Sequence, residues 1–394
     1  MNIDFWQHFS ILFVIGLVNN LGYVMIGVGA QDIATHFGEQ NLMPLFQFML
    51  VCCNLLVLAV NFRYLVGMNT MLRVTIIACS MVLSFGVMAI CSAANGSWGF
   101  PIALLATLLM GMSQSWGECI NLAFQKSFPS EYIVGFSSGT GFAGVAGSGA
   151  WLIFRAVSLE NYQVFLIVTP LLIPYWLGFL WVYKKSKKQN SIKSIPLVEQ
   201  NPENNSVEKI GKISAETGNA LFSRSQIPII WAEAGFWAVN LGSVYFLEYC
   251  VITGFADRAT LKYSDNGSFF KENAFIIIQF CYQIGVLFSR SSLKCFKVPQ
   301  VWIVTALQAF NFCLWWFEAE FLFLTMWGEF ILSIWVGCMG GMSYVNVAYL
   351  ILNTKKLPKE LKEATFNVSL CFNNLGIVTA ALFCLLLDNV IMSN

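Results

Sequence analysis

Asn20-Leu21-Gly22-Tyr23-Val24 lies in the first long apolar run, and Asn240-Leu241-Gly242-Ser243-Val244 echoes it 220 positions later. Gly111-Met112-Ser113 returns as Gly341-Met342-Ser343, 230 positions on. Each copy of this second motif is followed by a basic stop, Lys126-Ser127-Phe128-Pro129-Ser130-Glu131 in one case and Lys356-Leu357-Pro358-Lys359-Glu360 in the other. The order and the nearly equal offsets predict two parallel halves, as in membrane carriers built from internal repeats.

Composition agrees. Of 394 residues, 57% are hydrophobic and 11% charged, with a mean hydropathy of +0.66, against roughly 25% charged in soluble domains. The chain reads as an all-α polytopic membrane protein. A net charge of +1 gives no reason to expect a nucleic-acid partner. The twelve cysteines are scattered without a CxxC pair, so they read as small core hydrophobes rather than as disulfides or a zinc site. Neither HExxH nor any other metal-ligand cluster is present. An enzyme is not expected, nor is a cofactor or metal.

Runs of about 20 apolar residues are long enough for a bilayer core of about 30 Å. They predict eleven spans, near 9–30, 42–61, 71–94, 98–118, 134–154, 162–183, 227–252, 273–289, 298–317, 321–348 and 365–388. The start, MNIDFWQHFS, lacks the basic region and cleavage site of a signal peptide, so the first run reads as a retained helix. The polar stretch from Lys184 onward, KKSKKQNSIKS, divides the chain into a six-span half (1–183), a linker (184–226) and a five-span half (227–394). Basic loops stay cytoplasmic. Placing the linker inside puts 18 of the 22 basic residues on that side and leaves Arg155, Arg258, Lys262 and Lys271 opposite. The N-terminus is then cytoplasmic and the C-terminus lumenal. The sequons at Asn95 and Asn266 fall on the lumenal side, and Asn266, in the longer loop, is the glycosylation candidate.

A 6+5 count resembles the major-facilitator architecture with its last helix missing. In that architecture the first and fourth helices of each half line the central cavity. Among the acids in or at the edge of spans on this map are Glu118 (span 4), Glu233 and Glu248 (span 7) and Glu329 (span 10). Carboxylates in hydrocarbon are costly and usually face a bundle interior or a wet cavity. The same acids also fit a bland reading, bonded to a neighbouring helix or seated at the interface. Glu233 and Glu248 are 15 positions apart, about 22 Å along a helix, so they cannot share one solute group. Asn20 and Asn240 fall near mid-span, as a candidate hydrogen-bonding pair. With only His8 and His36 in the chain, carboxylates are the candidates for carrying protons.

Ser137-Ser138-Gly139-Thr140-Gly141-Phe142-Ala143-Gly144 opens span 5. Its small residues permit close helix approach, and its hydroxyls at a helix start offer a site for an anionic head group. Ser289-Arg290-Ser291-Ser292-Leu293-Lys294 closes span 8. The basic residues there could hold the loop inside against anionic lipid, or Arg290 could latch the two halves.

At these residues the chain resembles the battenin family of lysosomal and vacuolar membrane proteins. The resemblance rests on Gly16-Leu17-Val18-Asn19-Asn20-Leu21-Gly22-Tyr23-Val24, Gly117-Glu118, the 137–147 segment, Val244-Tyr245-Phe246-Leu247-Glu248-Tyr249, Tyr282-Gln283-Ile284-Gly285-Val286 through Leu293, and Gly340-Gly341-Met342-Ser343-Tyr344-Val345-Asn346. It implies a major-facilitator-like fold and residence in the lysosome or vacuole. The implied activity is export of a small polar solute, of the glycerophosphodiester or basic amino acid class, with protons as a candidate coupling ion. The alternative it leaves is a non-transporting scaffold or regulator of lysosomal trafficking and lipid homeostasis. Carried over residue by residue, it adds Asn19, Tyr249, Tyr344 and Asn346 to the solute and proton pathway of Asn20, Glu118, Asn240, Glu248 and Glu329. Ser137, Ser138, Gly139, Thr140, Gly141, Gly144 and Arg290 form the cytoplasmic gate. Where the family has an acid before the glycine of span 10, this chain has Trp335-Val336-Gly337. Glu329, two turns earlier, is the candidate for a displaced carboxylate.

Overall fold

The computed structural model describes residues 3–65, 67–94, 96, 98–125, 130–193, 227–263, 267–291 and 297–392. Helices stand at all eleven expected positions. Those of the first half are Ile3–Val28 (span 1), Pro44–Val51 with Asn54–Val60 (span 2), Thr70–Ala93 (span 3), Gly99–Gln125 (span 4), Ser130–Ala156 (span 5) and Asn161–Val168 with Leu172–Lys193 (span 6). In the second half they are Ile227–Tyr249 (span 7), Ala274–Arg290 (span 8), Val301–Phe321 (span 9), Met326–Asn353 (span 10) and Lys359–Leu386 (span 11). Among the described residues, seven helical stretches are long and apolar enough to cross a bilayer, and span 8 is apolar but shorter. Spans 4, 5 and 9 carry more polar side chains and pack within the same bundle. Helices suit this setting because every backbone group finds its partner within the segment.

The breaks have local causes. Pro170 lacks an N–H, and span 6 passes there through a 3₁₀ turn, Thr169–Leu171. Span 7 widens into a π-helical turn at Cys250–Phe255, directly after Glu248 and Tyr249, and resumes as Ala256–Thr260. π-turns often mark functional sites. Asn69 caps span 3, accepting from the Met71 amide at 2.9 Å.

Two expected boundaries move. The linker was placed from residue 184, yet span 6 continues to Lys193. Lysines favour a helix C-terminus, and Lys185 and Lys187 fold back over the rings of Trp181 and Tyr183 at 4.8 and 5.0 Å. The remainder of the linker, with Asn95 and Asn266, lies outside the described residues. The loop expected after residue 252 is instead helical to Tyr263, because Phe255, Ala256 and Ala259 continue a buried face.

The two halves pack alike. Span 1 lies on span 5 as span 7 lies on span 11, and span 4 lies on span 2 as span 10 lies on span 8. Spans 5 and 8, and spans 2 and 11, join the halves. Glycines set these crossings. A Cβ at Gly139 would strike the backbone of Phe13, one at Gly242 the Phe372 carbonyl and one at Gly285 the Ile334 carbonyl. Gly111 and Gly341 occupy matching places, against Leu50 of span 2 and Ser289 of span 8. With little hydrophobic drive between helices in lipid, such backbone approach supplies the dispersion energy that holds them.

At the end away from the linker and outside the spans, Asp32 accepts from the Trp151 indole at 2.9 Å and faces Arg155 at 3.5 Å. Burial holds its carboxyl above the usual carboxylate range, against the pull of Arg155 and the indole.

Candidate functional site

Arg290, the last residue of span 8, is the centre of the site. Its guanidinium carbon sits 4.9 Å from the centroid of the Tyr344 ring on span 10, and its charge also acts on Tyr245 of span 7. It interacts electrostatically with Glu118 of span 4 and with Glu248 of span 7. Its charge therefore acts on carboxylates of both halves without a direct ion pair to either.

Each carboxylate has its own support. Gln114, one turn before Glu118, donates to Glu118 Oε2 at 2.9 Å and to Asn20 Oδ1 at 2.6 Å, which links spans 1 and 4. The Tyr282 hydroxyl of span 8 donates to Glu248, whose carboxylate rests against Gly340 of span 10. Glu248 is 1% exposed. Glu118, Arg290 and Tyr344 are only half-buried, and Ser137 and Ser138 are exposed. The site thus opens toward the linker end. Beyond Glu248, Tyr249 stacks on Tyr245 (centroids 6.1 Å apart) and shares a cavity lining with Tyr23, which accepts from Gln47 at 2.7 Å. Tyr23, Gln47, Tyr249, Gln279, Tyr282 and Gln283 are among the residues that line a cavity of about 40 Å³ between the halves.

The site therefore gathers Asn20, Glu118, Glu248, Tyr249, Tyr344 and Arg290 from the sequence-derived set. Others stand apart. Asn19 is fully buried and ties span 1 to spans 4 and 6, donating to the Gln114 carbonyl at 3.1 Å and accepting from Tyr175 at 3.4 Å. Asn240 accepts from Thr305 of span 9 at 2.7 Å and does not join Asn20. Asn346 receives the Val298 amide at 2.8 Å and so fixes the entry to span 9. Glu233 pairs with Lys356 at 3.4 Å.

Glu329 is held in a different cluster. Lys262 bridges it, at 2.6 Å, to Glu318, and both carboxylates are fully buried. Val336 is buried where spans 8 and 10 cross. In the gate segment, Gly139 packs on span 1 and Gly144 on Gln283, while a Cβ at Gly141 would meet nothing within 4 Å. Thr140 donates to the Ser137 carbonyl at 2.9 Å.

Tyr23, Gln47, Gln114, Tyr245 and Tyr282 were absent from the sequence-derived set. Gln114 was accessible to it, because a glutamine four positions before a glutamate shares its helix face. The tyrosines carried no such signal in an aromatic-rich chain.

The CLN3 protein family model matches residues 10–394. The chain belongs to this family. Battenin of Dictyostelium discoideum is 31% identical, covering 96% of this chain and 93% of its own length. Protein BTN1 of Saccharomyces cerevisiae is 24% identical, covering 95% and 93%. Among solved structures, a bacterial homologue of the human lysosomal transporter Spinster, inward-facing and unoccupied, aligns over 100% of this chain and 84% of its own at TM-score 0.60 and 17% identity. A D-xylose–proton symporter aligns over 99% and 91% at 0.59 and 10%. The family member is a multi-pass membrane protein of major-facilitator type.

Proposed function

We propose that this CLN3-family member is a carrier that moves a small polar solute across a lysosomal or vacuolar membrane by alternating access of its two halves, from lumen to cytosol. One observation carries the reading: the charge of Arg290 acts on Glu118 of one half and on Glu248 of the other. Arg290 and Glu248 belong to the same half, so rocking the halves changes the distance from the guanidinium to Glu118 while Glu248 moves with it, and a charged solute bound there is coupled to the motion. A glycerophosphodiester suits the arrangement best. Its phosphate matches the planar donor fork of arginine, and its hydroxyls find Tyr245, Tyr344 and Asn20. A basic amino acid would turn to the carboxylates instead. The basic residues at the linker end support a cytoplasmic linker, and Glu248, the deepest carboxylate, is the candidate proton carrier.

The 40 Å³ cavity is smaller than either solute and favours a second reading, a membrane regulator that transports nothing. Uptake into proteoliposomes, with and without a pH gradient, separates the two. Flux of glycerophosphodiesters above empty vesicles supports the carrier. Monodisperse protein that moves neither solute class refutes it.

A further inference from the structure

At the end away from the linker the halves meet in a polar seam, remote from Arg290. Gln31, just after span 1, donates to Asp257 Oδ1 at 2.6 Å, and Asn389, just after span 11, donates to the Asn41 carbonyl at 3.0 Å. Asp257 follows the π-turn of span 7 and is itself buried. Asp388 lies in the π-helical turn Leu387–Ile391 that follows span 11, is 4% exposed, and has no hydrogen-bond donor on either carboxylate oxygen. Its nearest cation is Arg258, at 3.9 Å. Asp257, Asp388 and Arg258 line a cavity of about 60 Å³ together with Gln31, Thr35, Gln40 and Asn41.

The charges do not balance. Besides Asp388, the titratable groups here are Asp257, Arg258 and the buried thiols of Cys250 and Cys384. The side chains facing the cavity from the segment between spans 1 and 2 are neutral amides, a hydroxyl and a thioether. Two carboxylates beside one guanidinium leave one negative charge without a partner, a burial that proteins normally avoid by neutralising the group. Opening the seam returns both acids to water and removes the conflict.

We propose that the closed seam is a proton-binding site: Asp388, paired with Asp257 across the 60 Å³ cavity, takes up one proton from the far compartment as the halves close there, and releases it when they part. A proton suits the site better than a metal ion, because Arg258 already stands at its mouth and would repel a second cation. Acidity on that side then favours the closed seam, by linkage between proton binding and conformation. The site is separate from Glu248, and it rests on the alternating-access reading.

Spin labels at Glu39→Cys and Ile391→Cys, both exposed positions on opposite halves, read the seam without any solute. The test is run in nanodiscs on a background free of reactive native cysteines, at about pH 5 and at about pH 9, the upper value chosen because burial raises a carboxylate by up to several pH units. Acidification is expected to increase the short-distance population several-fold in the parent, and Asp388→Asn to hold it high at both values. Asp388→Glu, which keeps the acid, should retain the response. The proposal is overturned if the parent distances ignore pH, or if Asp388→Asn and Asp257→Asn both respond as the parent does. Sodium that closes the seam at about pH 9, relative to choline, would overturn it in favour of a metal ion. A responding seam in protein that moves no solute would leave the site standing and remove the carrier reading.

Discussion

The Glu248 carboxylate occupies the space in which a side chain at Gly340 would begin. Glycine at this point of span 10 is therefore a condition for the acid to reach the Tyr282 hydroxyl and face Arg290. Gly340→Ala should push the carboxylate out of place, at a cost of about 1–3 kcal/mol for overpacking. Solute flux should fall by about tenfold or more, as a displaced binding group implies. Helix content by circular dichroism should stay unchanged. Flux equal to the parent would show that the carboxylate position is unimportant.

Glu248 and Tyr282 separate charge from packing. Glu248→Gln keeps an acceptor for the tyrosine, so thermal stability should change little while the pH dependence of flux falls to what the separate seam at Asp388 supplies. Tyr282→Phe removes the donor and leaves the buried carboxylate short of a partner, which costs about 1–3 kcal/mol. Its melting temperature should fall more than that of Glu248→Gln. Full pH dependence in Glu248→Gln proteoliposomes would remove Glu248 from any proton-carrying role.

The fold was legible because lipid enforces a simple rule, continuous apolar runs, and because the Gly111 and Gly341 motifs repeat where span 4 meets span 2 and span 10 meets span 8. The other motif pair misled on function. Asn20 and Asn240 share a local pattern, yet one turns to span 4 and the other to span 9, since side-chain direction follows the rotation of each helix and not its sequence match. Glu329 stands apart from Arg290 for a related reason. Its partner Lys262 stood in a presumed loop, and nothing in the sequence announced that span 7 would run on past the π-turn to bring Lys262 to it. Arg290 is visible in the sequence as a loop-anchoring cation or as a latch, and three-dimensional packing is needed to bring its charge to bear on acids of both halves.

The glycines of span 5 divide by what faces them. A Cβ at Gly139 would run into the backbone of Phe13 and Leu17, which cannot step aside, whereas Gly141 has open space. Gly139→Ala should lower stability by about 1–3 kcal/mol. Gly141→Ala should be neutral or gain up to about 1 kcal/mol from helix propensity. Thermal unfolding of the two variants in one detergent checks the contrast. Equal melting temperatures would mean that span 5 does not depend on its close approach to span 1.

Lys262 decides what Glu329 is for. The lysine is the cation between two fully buried carboxylates, Glu318 and Glu329, and its ammonium also donates to the Leu324 carbonyl at 3.1 Å. Glu318 accepts the Leu324 amide at 2.6 Å, so the cluster pins the turn between spans 9 and 10. Removing one member of a buried ionic group strands the others, at about 3–5 kcal/mol. Lys262→Met should therefore be strongly destabilising. Lys262→Met with Glu318→Gln and Glu329→Gln should recover much of the loss, because no charge is left unpaired. If the cluster is a structural clamp, the triple variant keeps the parent pH dependence of flux. If Glu329 is a displaced proton carrier, that dependence disappears in the triple variant even as stability returns. The position of Glu329, away from Arg290 and held by its own lysine, favours the clamp.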